Sequence, residues 1–323
     1  MGCYCSKGLI TINNRAFYMQ ERIGEGGYAY IDLIEDKKSG KFFALKRITC
    51  HSKEDETEAL KEAEYCRMFN HPNIIKVEEF TTVKKTQTTS VWIVFPFFKL
   101  GSLQDLIEKT AKNNGHIHED RLLGIFKGVC EGVKAMHEAT PTPVTHRDIK
   151  PANVLLDEND TPVLMDFGSV GPARVEIKGS SEAQAMQAGF SRSLYNHKKG
   201  WKYWDLAAAK CTMPWRAPEL FHVESHCIID DKVDIWSLGC TLYAMIYLEG
   251  PFDAVWLKGD SVQLAVLSRN VKFPEDQQSL YSAELLDLIN ALLVVNPAER
   301  PNINWLIQRV EDLCLDALAA NRV

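Results

Sequence analysis

The sequence predicts an α+β protein in which a small antiparallel sheet with one main helix is followed by a larger, mostly helical region. In the first part, apolar and polar residues alternate from Arg15 to Leu33 and from Phe42 to Ile48, with the aromatic and β-branched types that are typical of strands. After Gly101 the apolar residues recur at the period of long amphipathic helices, over residues 103–111, 119–138, 233–247, 283–294 and 303–318.

One helix is predicted within the sheet region. Between Ser52 and Phe69 the charges are dense and apolar residues stand at helical spacing, and Asn70-His71-Pro72 ends the run. We expect this helix to cross the sheet.

Composition excludes several classes of protein. Hydrophobic residues make up 46% of the 323 residues and charged residues 25%, as in a soluble globular domain. The net charge of -6 provides no broad basic field, so nucleic acid is not an expected partner. The longest apolar run, Val91 to Phe98, is broken by Pro96 and is too short to span a bilayer.

Nine scattered cysteines favour reduced thiols over a disulfide framework. The sequence indicates no oligomeric state.

A glycine-rich hairpin and a lysine on the following strand form the first candidate site. Glycine has no Cβ, so such a turn lets backbone amides approach phosphate oxygens. Lys46 follows at the distance that a hairpin imposes, where its ammonium can neutralise phosphates. Alone, such hairpins are commonly only turns and such lysines are commonly only solvated. The candidate residues of the hairpin are Gly24, Glu25, Gly26, Gly27 and Tyr28.

The ammonium of Lys46 needs a carboxylate to hold it. Glu62 on the predicted helix is our first choice, while Glu58 lies one turn earlier and Glu64 points elsewhere. Most glutamates on so charged a helix are solvated, so this assignment depends on the other motifs.

The strongest signal is the run from His146 to Asn153, followed by Asp166-Phe167-Gly168. A loop aspartate near a lysine and an asparagine, followed by a second aspartate on a tight turn, supplies a base that orients a hydroxyl and two oxygen donors for Mg²⁺. A solvated surface loop does not explain five polar groups in this order between apolar strands. The candidate residues are Asp148, Lys150, Asn153 and Asp166.

Together these motifs resemble the protein kinase family, from about Phe17 to Leu313. The resemblance implies a two-lobed fold and transfer of the γ-phosphoryl group of ATP, with Mg²⁺, to a protein substrate. It also implies that Lys46 pairs with Glu62, that Asp148 is the catalytic base and that Lys150 steadies the transferred group.

The same resemblance assigns the nucleotide and metal ligands. It implies that Asn153 and Asp166 bind Mg²⁺ and that the glycine-rich hairpin covers the phosphates. Ala29 stands where the family has a third glycine, which stiffens the loop but leaves Gly24 and Gly26 in place. Around the adenine, the resemblance implies contacts from Ile31, Ala44, Phe95, Phe97 and Phe98.

The resemblance also divides the chain. It implies a leader at 1–15, a kinase domain at 16–318 with lobes at 16–98 and 99–318, and a tail at 319–323. Within the domain, residues 166–219 form the activation segment, which is longer than the family's usual one because of an insertion at Gly179 to Tyr203. We expect residues 169–210 to form a long loop with one helical turn or more, Trp201 to Ala209 being a candidate helix.

Two arginines have roles implied by the same resemblance. Arg300 is placed to pair with Glu219. Arg147 is a candidate partner for a phosphorylated residue of the activation segment. The sequence does not choose among the possible phosphosites, which are Ser169, Ser180, Ser181, Ser191, Ser193 and Thr212.

The acceptor is expected to be serine or threonine. Lys150, two positions after Asp148, resembles serine/threonine kinases, whereas tyrosine kinases usually carry alanine and arginine in this region. Thr212 supports the same assignment, since a threonine there can hydrogen-bond Asp148 and Lys150.

The N-terminus has the pattern of a lipid anchor. Met1-Gly2-Cys3-Tyr4-Cys5-Ser6 fits myristoylation of Gly2, and Cys3 and Cys5 are placed for palmitoylation. One myristoyl chain binds membranes only marginally, so an adjacent acylated thiol supplies the second signal that stable anchoring needs.

This leader and the motifs of both lobes resemble the myristoylated and palmitoylated branch of the Numb-associated kinase group. That resemblance implies the cytosolic face of Golgi, perinuclear or plasma membranes, a cytoplasmic fraction, and a link to secretory traffic.

Three alternatives stand beside this interpretation. A membrane-tethered pseudokinase scaffold is disfavoured because every required group is present. A kinase of sugars or lipids is disfavoured by Ala217-Pro218-Glu219 and by Asp234 to Gly239, which resemble the peptide-binding lobe of protein kinases. A zinc site at Cys3 and Cys5 is disfavoured because no further cysteine or histidine with fitting spacing follows in the leader.

Overall fold

A computed structural model describes residues 8–25, 29–84, 88–187, 212–275 and 279–320, with side chains described as far as residue 317. Of the sequence predictions, Gly2, Cys3, Cys5, Gly26, Gly27, Tyr28, Ser191, Ser193, the helix at 201–209 and the tail from 321 onward lie outside the described residues. The chain divides into two compact units, Met1–Lys99 and Leu100–Val323.

The first unit contains a six-stranded antiparallel sheet. Its strands are β1 (Leu9–Ile12), β2 (Arg15–Glu25), β3 (Ala29–Asp36), β4 (Phe42–Cys50), β5 (Glu79–Lys84) and β6 (Thr89–Pro96), in the spatial order β1-β2-β3-β4-β6-β5. Strand β1 lies within the region predicted as a leader, and it pairs with β2 from Leu9 opposite Tyr18 to Ile12 opposite Arg15. The ordered sheet therefore begins before residue 16.

Helix α1 (Lys53–Arg67) begins where its capping residues specify. The Ser52 hydroxyl accepts a hydrogen bond from the Asp55 amide, and the Asp55 carboxylate accepts one from the Ser52 amide, so the first turn has its exposed amides satisfied. The buried face of the helix places Ala59 and Ala63 against one side of the sheet, with Ile93 of β6. The other side of the sheet has its own apolar core, formed by Ile12, Phe17, Ile34, Phe43, Leu45 and Val94.

The second unit is mostly helical. Its helices among the described residues are α2 (Leu103–Lys112), α3 (Glu119–His137), α4 (Ser180–Gln187), α5 (Lys232–Tyr247), α6 (Asp253–Leu257), α7 (Val262–Leu267), α8 (Ala283–Leu292) and α9 (Ile303–Ala320). Every residue of α5 from Val233 to Tyr247 is buried, so α5 is the centre of this unit. Helix α8 packs closely on it at Gly239, where a Cβ would lie 2.8 Å from the Cβ of Leu292. Helices α6 and α7 were not predicted.

The described part of the second unit also contains three two-stranded sheets. Strands β8 (Val154–Leu156) and β9 (Pro162–Leu164) form a hairpin, and β10 (Gly171–Pro172) pairs with β7 (Val144–Thr145). Strand β11 (Val175–Ile177) pairs with β12 (Cys227–Ile229). The region predicted as a loop from residue 169 therefore contains two short strands and helix α4 within its described part. The prediction allowed for one helical turn or more, but it missed the two strands, because β10 and β11 are fixed by pairing with the distant strands β7 and β12.

None of the helices in the described ranges is long and apolar enough to span a membrane.

Candidate active site

In the first unit, Lys46 and Glu62 form an ion pair that joins the sheet to its helix. Lys46 lies on β4 and its Nζ is 2.6 Å from Oε1 of Glu62 on α1. Glu62 is buried, whereas Glu64 is exposed and Glu58 is half-buried. The structure thus pairs the lysine with the glutamate that was the first choice from the sequence.

The sheet register places the other predicted nucleotide residues beside this pair. Ile31 lies opposite both Gly24 and Lys46 on neighbouring strands, and Ala44 lies opposite Phe95. Because side chains alternate along a strand and directly paired residues share a face, the side chains of Ile31, Ala44, Lys46 and Phe95 lie on one face of the sheet. This is the face against which α1 packs.

Three further residues that were predicted to contact the nucleotide lie at or just after the ends of strands. Glu25 is the last residue of β2, and its carboxylate is 3.6 Å from Nη1 of Arg22. Phe97 and Phe98 follow β6 and are partly exposed.

In the second unit, a loop between β7 and β8 carries Asp148, Lys150 and Asn153, and Asp234 fixes its backbone. Asp234 lies in the first turn of α5, and its carboxylate accepts hydrogen bonds of 2.8 Å from the amides of His146 and Arg147. Arg147 has a φ of 68°, a left-handed conformation that costs a non-glycine residue free energy. The two hydrogen bonds hold the loop in that conformation.

Asp234 stays charged although it is completely buried. Burial raises the pKa of its carboxyl group, but the hydrogen bonds that it accepts from His137 and from the Arg147 amide outweigh burial, and the pKa lies below its ordinary value. His137 Nε2 is 2.8 Å from Oδ2 of Asp234. An ionised carboxylate can therefore accept all three hydrogen bonds.

Asp148 lies at the centre of a set of polar contacts, and the residue is 7% exposed. Its Oδ2 accepts hydrogen bonds from Lys150 Nζ at 2.8 Å and from Asn153 Nδ2 at 2.9 Å. Its Oδ1 makes longer contacts, with the amide and the hydroxyl of Thr212, both at 3.3 Å. Thr212 Oγ1 also accepts a hydrogen bond of 2.5 Å from Lys150.

Asn153 and Asp166 are brought together by backbone contacts. The carbonyl of Asn153 accepts a hydrogen bond from the amide of Met165, the residue before Asp166. His146 reinforces the connection, because its Nε2 is 3.0 Å from the Met165 carbonyl and its ring meets that of Phe167 edge-on. Asp166 has a φ of 63°, which turns the chain sharply at this point.

The remaining predicted contacts involve the two arginines. Arg300 is 1% exposed and makes a bidentate contact with Glu219, at 2.8 and 3.0 Å. Arg147 Nη2 donates to the carbonyl of Pro172 at 2.8 Å and its Nε to Thr145 Oγ1 at 3.1 Å. The Arg147 guanidinium thus contacts these neutral oxygens in this structure, and its pairing with a phosphorylated residue stays a prediction.

The order of these groups along the chain matches a known domain. Residues 17–310 match the family model described as protein kinase domain. The chain belongs to the protein kinase family. The two units of this kinase confirm the predicted fold class, a small antiparallel-sheet lobe with one main helix and a larger helical lobe.

The curated relatives of this kinase are serine/threonine-protein kinases. Serine/threonine-protein kinase 16 of Homo sapiens and that of Rattus norvegicus are each 40% identical to it over 311 residues, covering 96% of this chain and 94% of theirs. Serine/threonine-protein kinase ppk13 of Schizosaccharomyces pombe is 32% identical over 335 residues, with 94% and 92% covered. This chain is accordingly a serine/threonine-protein kinase.

Protein kinases use ATP with a divalent metal ion, and the residues of this kinase fit such a metal. Asn153 donates both of its described side-chain hydrogen bonds through Nδ2, so its Oδ1 remains an oxygen ligand. The carboxylate of Asp166 adds a second hard oxygen donor, which is the chemistry Mg²⁺ prefers.

Sequence reasoning underestimated two residues of this kinase. The sequence indicates Asp234 only as part of the run to Gly239 that resembles the peptide-binding lobe, and it assigns no role to His137. In the structure these two residues together fix the backbone that precedes Asp148. The available signal was an aspartate inside an apolar helix, since a buried charge needs partners. The identity of those partners, 87 to 97 residues away, was not visible in the sequence.

Proposed function

We propose that this kinase transfers the γ-phosphoryl group of MgATP to serine or threonine hydroxyls of proteins. The observation that supports the proposal best is the environment of Asp148, whose Oδ2 is held by Lys150 and Asn153 while Oδ1 keeps only longer contacts. A carboxylate fixed in this way presents one oxygen to an acceptor hydroxyl. Asp148 Oδ1 orients that hydroxyl towards the phosphoryl group and receives its proton.

Positive groups supply the electrostatic part of the mechanism. Lys150 Nζ, held by Asp148 and Thr212, steadies the negative charge of the transferred group. Lys46, held by Glu62, neutralises the α- and β-phosphates. Asn153 and Asp166 would hold Mg²⁺, which neutralises charge on the phosphates when it is bound.

The preference for serine and threonine rests on Thr212 and Lys150. The contact between their side chains bridges the segment before Ala217-Pro218-Glu219 to the loop that carries Asp148. The relatives are named as serine/threonine-protein kinases, which supports the same acceptor class.

Intact-protein mass spectrometry before and after incubation with MgATP tests the activity. Wild-type protein should gain mass in phosphate steps, and Lys46→Met protein should not. If neither the protein itself nor a generic substrate gains phosphate from the wild type, the pseudokinase alternative is supported instead.

The membrane anchor is a separate part of the proposal. We infer myristoylation of Gly2 and palmitoylation of Cys3 and Cys5, because the leader carries the acceptor pattern and one chain alone binds weakly. These lipid chains would hold the kinase on the cytosolic face of Golgi, perinuclear or plasma membranes. A position on the Golgi would link the kinase to secretory traffic.

Cell fractionation with variants tests the anchor. Gly2→Ala should move the kinase into the soluble fraction, and Cys3→Ser with Cys5→Ser should weaken membrane retention while the myristoyl mass stays on Gly2. Ser6→Ala is not a neutral control because it alters the myristoylation pattern, so Lys37→Ala in the kinase domain serves instead. Unchanged membrane retention of Gly2→Ala would contradict the proposed anchor.

A further inference from the structure

Arg216 is a buried cation in the segment that precedes Ala217-Pro218-Glu219. The residue is 8% exposed, and its Nε has no hydrogen-bond partner in the part of the chain that the structure describes. Its Nη1 donates to the carbonyl of Gln187 at 3.2 Å, and its Cζ lies 5.5 Å from the centre of the Phe221 ring. Among the described residues, the guanidinium is buried against neutral groups with one donor unpaired, which costs stability, so packing alone does not explain this residue.

The hydrogen bond to Gln187 connects Arg216 to the insertion. Gln187 is the last residue of α4, whose Ala183 and Met186 are buried. Carbonyl groups in the last turn of a helix lack partners within the helix, and an arginine there satisfies one of them and complements the helix dipole. Arg216 therefore secures the C-terminal end of α4.

The backbone of Arg216 connects the same residue to Asp148. A single 3-10 turn, Met213–Trp215, is preceded by Thr212 and followed by Arg216. Thr212 contacts Asp148 at one end of this turn, and Arg216 holds Gln187 at the other. The centre is fixed independently, because Ser237 Oγ donates to the Trp215 carbonyl at 3.0 Å.

We propose that Arg216 is a positioning residue for the protein substrate, through which helix α4 of the insertion fixes the 212–216 turn beside Asp148. This inference rests on the proposed function, because it assigns to this turn the binding of the protein substrate that carries the acceptor hydroxyl. Ser237 and Thr212 secure the turn near Asp148 without Arg216. Loss of the Arg216 link should therefore weaken substrate binding more than it affects the chemical step.

Steady-state kinetics of Arg216→Gln test the proposal, with a peptide chosen from a degenerate serine/threonine library. The KM for the peptide should rise about tenfold, while kcat and the KM for ATP change by less than about twofold. Peptide-independent ATP hydrolysis should also stay within about twofold of wild type. Arg216→Lys should recover part of the peptide affinity, because an ammonium can still donate to the Gln187 carbonyl. Arg174→Gln, an exposed change in the same segment, is the matched control and should leave all three constants unaltered.

A double-mutant cycle tests whether α4 is the partner. Ala183→Gly weakens the helix that presents Gln187, so it should raise the peptide KM by itself. Combined with Arg216→Gln it should add little, since both changes break the same link. An unchanged peptide KM in Arg216→Gln, an equal rise in the KM for ATP, or independent effects in the cycle would overturn the inference. A wild type that phosphorylates nothing would instead overturn the proposed function.

Discussion

Lys46 on strand β4 and Glu62 on helix α1 form an ion pair 2.6 Å long, with side chains 14% and 6% exposed. Solvent and salt screen such a pair less than one on the surface. The pair fixes the ammonium on the same face of the sheet as Ile31, Ala44 and Phe95.

Lys46→Met should lower kcat by about 100-fold or more, because it removes the positive group that neutralises the α- and β-phosphates of the nucleotide. Glu62→Gln should cause a smaller loss, since the ammonium remains but loses its ionic partner. Peptide phosphorylation at saturating ATP measures both. Lys53→Met breaks the pair of the exposed Lys53 with the largely buried Glu56 on the same helix and should have little effect on kcat. Equal activity of Lys46→Met and Lys53→Met would contradict the assigned role of Lys46.

Asp148→Asn should lower kcat by about 10³-fold, the scale of a lost general base, while nucleotide binding remains. Activity is measured with a peptide substrate, and binding by the rise in melting temperature that MgATP produces. Asp287→Asn, at an exposed site on α8, is the control. A peptide-phosphorylation rate equal to wild type in Asp148→Asn would show that Asp148 is not the base.

Arg300→Met should destabilise the second unit by about 3–5 kcal/mol, because it leaves the largely buried carboxylate of Glu219 without its ionic partner. The matched control is Lys127→Met. It breaks an ion pair of similar length with Glu311, but both side chains are more than a third exposed, so the loss should be below about 1 kcal/mol. Urea unfolding at neutral pH compares the two. Similar losses would mean that burial does not govern the strength of these pairs.

Asp36→Asn should destabilise the first unit at neutral pH by about 2 kcal/mol. Hydrogen bonds from the Ser39 amide and hydroxyl, together with Arg15, outweigh burial and lower the pKa of Asp36 from 3.8 to about 2. A lowered pKa stabilises the folded state fully above about pH 4, and that contribution disappears as the pH falls through about 2.

The pH dependence distinguishes this electrostatic effect from a packing defect. The difference in unfolding free energy between wild type and Asp36→Asn should fall to roughly half at pH 3. At that pH the Asp36 carboxyl group is mostly protonated in the unfolded chain but still mostly ionised in the folded protein. Urea unfolding at pH 6, 4 and 3 measures it. A difference that does not change with pH would show that the ionised carboxylate is not responsible.

The sequence by itself determined the fold class and the identity of the residues in the catalytic loop. The strand and helix periods and the capping residues of α1 are local signals, and the residues from His146 to Asn153 are contiguous, so short-range order was enough to recognise them. Helical spacing also made Glu62 the first choice as the partner of Lys46, and the structure places the Glu62 carboxylate 2.6 Å from the Lys46 ammonium.

Tertiary structure decided the contacts that connect distant segments. Asp234 binds backbone amides 87 and 88 residues away, β11 is a strand because Cys227–Ile229 lies beside it, and Arg216 meets Gln187 across 29 residues. Such contacts leave no periodic pattern in the sequence. The packing of the whole unit decides whether a residue lies in a strand or in a loop, and whether its side chain is buried or exposed. The sequence therefore specified the candidate site residues, and long-range packing specified how their side chains are held.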